Sequence, residues 1–162
     1  SVEETYVSDI SRRDAETLML KGKLDRIDCH EDVGYEIIDY KSGKNIDTYA
    51  FRCFDSVLVS REEMRKGITS LQLPCYALLY HKANPDIPIA KINSRIISLQ
   101  SCKERMLFSD KDTVSRDTFL RDIFLPTLRN LLGEIVNPSI PFTADGDEKA
   151  CRYCAFHVLC RK

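Results

Sequence analysis

The stretch "YEIIDYKSG", Tyr35 to Gly43, constrains the fold more than any other part of the chain. In an extended segment, side chains at i and i+2 point the same way. Tyr35, Ile37, Asp39 and Lys41 therefore line one face, and Glu36, Ile38 and Tyr40 the other. A strand that otherwise reads as core thus carries a carboxylate and an ammonium side by side near its end. Taken alone, such a D-x-K is also what a solvated hairpin end looks like, and only the rest of the chain decides between the two.

The surrounding pattern is that of a mixed α/β domain. Residues 18 to 29, "LMLKGKLDRIDC", mix apolar and polar positions as a strand does, and "CHEDVG" reads as the turn into the Tyr35–Lys41 strand, making a β-hairpin. "ETYVSDI" reads as an earlier strand, joined through the polar "SRRDAE". Ser60 and Glu63 have capping-box spacing, which predicts a helix start, with Gly67 weakening its middle. "SLQLPCYALLYHK" continues as helix, with Pro74 near its start because proline has no N–H to donate. "NPDIP" ends it. The β-branched "IAKINSRIISLQ" predicts a strand running into a loop of mixed charge. From Ser115 to about Val136 the apolar residues Phe119, Ile123, Phe124, Leu128, Leu131, Leu132 and Ile135 keep helical spacing, with a kink expected at Pro126.

The chain of 162 residues is expected to form a single domain, 1–162, with room for a real core. No stretch approaches a membrane span, and no secretory signal opens the sequence, so the expected location is the cytoplasm with no membrane partner. With 24 basic and 25 acidic residues, composition by itself gives no argument for a nucleic acid partner. Seven cysteines are many for an intracellular domain, and an odd number with three close together does not read as a disulfide framework.

Several chemistry-bearing residues converge on the D-x-K strand. Asp25 lies on the strand before it, and a hairpin brings neighbouring strands within one strand spacing. Asp28 competes with Asp25; the two face opposite ways on a strand, so only one joins the site. Gln72 and Tyr76 are four apart and share a helix face, although a surface glutamine and a core tyrosine would have the same spacing. Two carboxylates, an ammonium and a Gln/Tyr pair suit metal-assisted phosphodiester hydrolysis. Carboxylates bind hard cations such as Mg²⁺ or Mn²⁺, the metal acidifies a water, and a lysine beside it stabilises charge on the phosphate.

"LKGKLDRID", "YEIIDYKSG" and "LQLPCYALLY", in this order, resemble the PD-(D/E)xK nucleases of the RecB and AddB type, a group that includes CRISPR-adaptation exonucleases. The resemblance covers roughly residues 18 to 160. It implies a restriction-endonuclease-like core, a central mixed β-sheet flanked by helices, and a metal-dependent DNA exonuclease of recombination or repair, with DNA and a helicase subunit or domain as partners. It makes Asp25 and Asp39 metal ligands together with the main-chain carbonyl of Tyr40, Lys41 the catalytic lysine, and Gln72 and Tyr76 the helix motif that supports the site near the scissile phosphate. A CRISPR-adaptation exonuclease and a non-catalytic DNA-binding module of the same fold are the alternatives.

The tail "CRYCAFHVLC" has the spacing C-x2-C-x5-C. It lacks the βαβ setting of a thioredoxin-like redox pair, and zinc with His157 or another cysteine as fourth ligand is open. The resemblance implies that Cys151, Cys154 and Cys160 hold an iron–sulfur cluster, a staple over 151–160, with one further cysteine upstream of the core. No cysteine precedes Cys29, so Cys29, Cys53, Cys75 or Cys102 substitutes, or the fourth ligand lies on another segment. Relatives also place a His or Glu on a helix before the first strand, where this chain offers Glu3, Glu4 and Glu16. On both counts the chain reads as the C-terminal part of a longer protein.

Overall fold

The computed structural model describes residues 4–13, 16–52, 54–109, 114–143, 151–152, 154 and 156–160. Strands β1 (Glu4–Arg13) and β2 (Glu16–Leu24) form an antiparallel pair. A second sheet has the order β3 (Arg26–His30), β4 (Gly34–Lys41), β5 (Ile92–Ser98) and β6 (Glu104–Met106). β4 runs antiparallel to β3 and parallel to β5, and β6 returns antiparallel to β5. This is the mixed sheet with flanking helices that the sequence pattern predicts. The D-x-K strand is central in it, with Ile37 and Ile38 buried and Asp39 only 4% exposed.

Three details differ from the sequence expectation. The stretch 18 to 29 is not one strand. It breaks at Asp25, so that β2 pairs with β1 while β3 makes the hairpin with β4. The polar "SRRDAE" is strand up to Arg13 and again from Glu16, because the backbone ladder continues to the tip of the hairpin, where Arg13 pairs with Glu16, in spite of low β-propensity. The mixed-charge loop after β5 contains β6, tied in by Leu107 N–H to Ser94 O at 2.8 Å.

Helix α1 (Arg61–Gly67) begins with the capping box on Ser60 and Glu63 and ends at Gly67. Helix α2 (Gln72–Ala83) has Pro74 in its first turn, where a missing N–H leaves no intrahelical bond unmade. α2 crosses the sheets closely. A Cβ on Gly22 of β2 would lie 2.6 Å from Leu79 Cδ1, so any larger residue there would push the Leu79 side chain aside. Buried Ser94 donates to Leu73 O at 2.8 Å, and the Tyr35 and Tyr80 rings meet at 5.6 Å. After the 3-10 turn Ile89–Lys91 comes β5.

The long C-terminal helix is composite: α3 (Arg116–Thr118), a π-helical stretch Phe119–Phe124, and α4 (Leu125–Ile135). Pro126 sits in the first turn of α4. The wider turn just before it, with Leu125 N–H reaching Leu120 O, relieves the clash that a proline ring makes with the carbonyl four residues back. The expected kink is thus a change of winding. Phe119, fully buried, gathers Phe51, Phe54, Phe108 and Phe124 around it at ring separations of 4.6 to 6.1 Å. Buried Thr127 accepts from Leu58 N–H at 3.0 Å and holds the segment before α1 against α4. The last described element is α5 (His157–Cys160). Among the described residues, no helix is long and apolar enough to cross a membrane.

Candidate active site

Asp39 is the node of the site. Its side chain leaves β4 toward α2, where Gln72 at N1 and Tyr76 one turn on present their polar ends together. Gln72 Nε2 donates to Asp39 Oδ1 at 2.8 Å, and Tyr76 Oη donates to the same oxygen at 2.9 Å. The glutamine amide also donates to Tyr76 Oη. Burial, then the neighbouring Asp39 charge, drives the Tyr76 hydroxyl well above the usual phenol range, so it stays a neutral donor.

With Oδ1 committed, Asp39 Oδ2 faces the remaining charge. It is enclosed and takes no hydrogen bond of good alignment, and its neighbour is the Lys41 ammonium at 2.7 Å. Lys41 keeps 23% of its side chain exposed, so the ammonium stands between a buried carboxylate and solvent. It also lies over the Tyr49 ring, 5.1 Å from its centroid.

Asp25 arrives from the break between β2 and β3. The β3–β4 ladder starts at Arg26 opposite Ile38, which leaves the Tyr40 N–H beyond its end, and Asp25 Oδ2 accepts that N–H at 3.0 Å. The break missed in the sequence is therefore what turns Asp25 onto the backbone of the residue between Asp39 and Lys41. Asp28 goes elsewhere: it pairs with Arg26, whose guanidinium holds its carboxyl below the usual carboxylate range. Tyr40 contributes backbone only, since its side chain is on the other face and its hydroxyl accepts from Arg26 at 3.2 Å.

The donor set fits a hard divalent cation. An under-bonded, buried carboxylate oxygen on Asp39, the Asp25 carboxylate and the Tyr40 backbone are all oxygen donors. Among the described residues there is no group of three or more His, Cys, Asp or Glu side chains placed to hold a metal. Two carboxylates with the balance of ligands from water is the way Mg²⁺ is commonly held.

The cysteine tail is a different matter. Cys154 and Cys160 are free thiols, and the described residues do not gather Cys151, Cys154 and Cys160 into a ligand set. Cys154 Sγ and its carbonyl accept the N–H groups of Phe156 and His157 at 3.4 and 3.2 Å, so the segment folds on itself locally. Cys29 and Cys102 are exposed free thiols, and Cys75 sits in α2; Cys53 and Glu3 lie outside the described residues, and nothing is described of the Glu4 and Glu16 side chains.

Sequence reasoning missed two groups beside the site. Tyr49 has no spacing signal, because it comes from a loop. The serines at the end of β5 hold that loop: Ser98 Oγ donates to Gly43 O at 2.7 Å, Ser101 Oγ to Lys44 O at 3.0 Å, and Leu99 N–H to Lys41 O at 2.9 Å. The polar "SLQS" after an apolar strand was the available clue.

A family model, that of the PD-(D/E)XK nuclease superfamily, matches residues 2–161. Among solved structures, the crystal structure of SSO0001 aligns with 99% of this chain at 16% identity and a TM-score of 0.43. The chain spans 59% of the length of that structure. No curated protein matches it.

Proposed function

Because the chain belongs to the PD-(D/E)XK nuclease superfamily, whose members hydrolyse phosphodiester bonds in nucleic acids, we propose that it is a metal-dependent deoxyribonuclease that digests DNA from its ends in recombination or repair. The observation that carries this reading is the wiring of Asp39: two neutral donors on one oxygen and an ammonium on the other, beside a second carboxylate.

Asp25, Asp39 and the Tyr40 carbonyl would hold Mg²⁺ or Mn²⁺, which when bound acidifies water and neutralises phosphate charge. Gln72 and Tyr76 fix the Asp39 carboxylate by saturating Oδ1, which leaves Oδ2 and its charge directed toward Lys41 and the site. Lys41 Nζ, at the solvent boundary, is placed to donate to a non-bridging phosphate oxygen or to orient the attacking water. In the reaction the water oxygen forms a bond to phosphorus, the bond from phosphorus to the leaving sugar oxygen breaks, and charge on the phosphoryl oxygens rises toward the transition state. A preformed ammonium there stabilises the transition state more than the ground state. A helicase partner and an iron–sulfur cluster on Cys151, Cys154 and Cys160 belong to the same proposal on the strength of the motif order alone. No step above depends on either.

The test is cleavage of end-labelled linear duplex, closed circular DNA and RNA of matched sequence, with Mg²⁺, Mn²⁺ or chelator. Degradation of the linear DNA only, abolished by chelator and by Asp39→Asn, is the expected result. Tight DNA binding with no metal-dependent cleavage would instead make the chain a binding module.

A further inference from the structure

We propose that Tyr49 is a positioning residue for Lys41, acting through the face of its ring; the inference rests on the role given to Lys41 above. Lysine carries four rotatable carbon–carbon bonds, so a single ion pair to Asp39 fixes the distance of its ammonium from one oxygen and little else. The Tyr49 ring supplies a second contact, with Nζ over its face at 5.1 Å from the centroid. An ammonium at that distance is attracted by the negative face of the ring. Carboxylate and ring together hold Nζ at one place on the solvent boundary, where a phosphate would arrive.

The ring is itself held. Tyr49 N–H closes a turn onto Ile46 O at 3.1 Å, and buried Ile46 anchors that turn in the core. The next residue, Ala50, is clamped on both its polar atoms: its N–H donates to Thr69 Oγ1 at 3.2 Å, and its carbonyl accepts the N–H groups of Thr69 and Ser70, each at 3.0 Å. Ser70 Oγ in turn accepts Gln72 N–H at 3.1 Å. One clamp thus sets both the ring over Lys41 and the start of α2, from which Gln72 reaches Asp39. The two walls of the site, ring and amide, are registered to each other through Ala50.

Apolar packing and the ring's electrostatics are separable by substitution. Tyr49→Leu and Tyr49→Met keep an apolar side chain against the core and remove the quadrupole; Tyr49→Phe keeps the ring and removes the hydroxyl. The expected result is a kcat about 3- to 10-fold lower in Tyr49→Leu and Tyr49→Met at unchanged KM, with Tyr49→Phe restoring it. A readout independent of turnover comes from the metal-free protein. The Lys41 ε-methylene protons should resonate upfield of those of the exposed lysines through the ring current, and lose that shift in Tyr49→Leu and Tyr49→Met but not in Tyr49→Phe. Wild-type kcat in both aliphatic variants, a Phe variant as slow as they are, or no ring-current shift on Lys41 would overturn the inference. Lys41→Ala is measured beside them: if it cleaves at the wild-type rate, the role given to Lys41 fails first, and the ring-current result then stands as a structural contact only.

Discussion

Replacing Asp39 by alanine separates stability from metal binding. The carboxylate is 4% exposed and takes two neutral donors at 2.8 and 2.9 Å plus the ammonium at 2.7 Å. Breaking a buried ion pair by removing one partner costs about 3–5 kcal/mol when the other charge is stranded. Here it is not fully stranded, since Lys41 is 23% exposed and turns to water, and Gln72 and Tyr76 keep each other as partners. Relief of the desolvation of Asp39 also offsets part of the loss. A net cost of about 1–3 kcal/mol follows, or a Tm lower by about 2–12 °C for a chain of this size. Asp39 is not a solvated strand end: it is inside the sheet and wired. In the wild type, divalent metal at about 100 times Kd adds about 2.7 kcal/mol and raises Tm by about 5–11 °C. In Asp39→Ala that metal-dependent rise disappears along with cleavage. Lys41→Ala behaves oppositely, keeping or enlarging the metal-dependent rise because a like charge has left the cation's neighbourhood, while cleavage falls about 100- to 1,000-fold. Scanning calorimetry at several Mn²⁺ concentrations reads both. An Asp39→Ala protein that still gains the wild-type stabilisation from Mn²⁺ would refute the assignment of Asp39 as a ligand.

Phe119→Ala removes the ring at the centre of the aromatic cluster and is expected to cost about 3–5 kcal/mol, seen as a urea midpoint shift at unchanged m. Gly34→Ala should be at least as severe and raise the unfolding rate, since Gly34 has φ +106° and a Cβ there would lie 2.2 Å from the Lys91 carbonyl oxygen; a wild-type Tm would contradict it. Cys75 is partly buried in α2, and the burial of its thiol, which disfavours the thiolate, pushes it up to about 12. At pH 8 to 9 maleimide should label exposed Cys29 and Cys102 and spare Cys75 in the folded chain. Because its folded pKa is raised above the unfolded value near 8.5, the contribution of Cys75 to stability is complete below that pH and declines as pH climbs toward 12, which denaturant titration at pH 8 and 10 would check with Cys75→Ala as reference. Iron, sulfide and zinc analysis of the natural protein decides the cysteine tail: loss of iron and of visible absorbance in Cys154→Ala is expected, and an iron-free wild type would remove the cluster.

What could be read from the sequence was whatever a local period encodes. The two-residue period of β4 placed Asp39 and Lys41 on one face, and the four-residue spacing of Gln72 and Tyr76 placed them on one helix face; both pairs meet in the structure at a single carboxylate oxygen and its neighbour. The capping box on Ser60 and Glu63 was legible for the same reason, since its hydrogen bonds span three residues. Information carried by chain breaks and loops was not. No period announces that the strand stops at Asp25, because the break follows from competition between two partner strands, β1 and β4, for neighbouring stretches of one extended segment. That competition is what makes the site: an unbroken strand would have carried the β3–β4 ladder past Asp25 and paired the Tyr40 N–H with a backbone carbonyl. Ending the ladder at Arg26 frees that N–H for the Asp25 carboxylate and so fixes the second acid beside the first. Tyr49 is hidden by the same physics, since its place over Lys41 is set by hydrogen bonds between Ala50 and the pair Thr69 and Ser70, across a sequence distance that no window of local pattern covers.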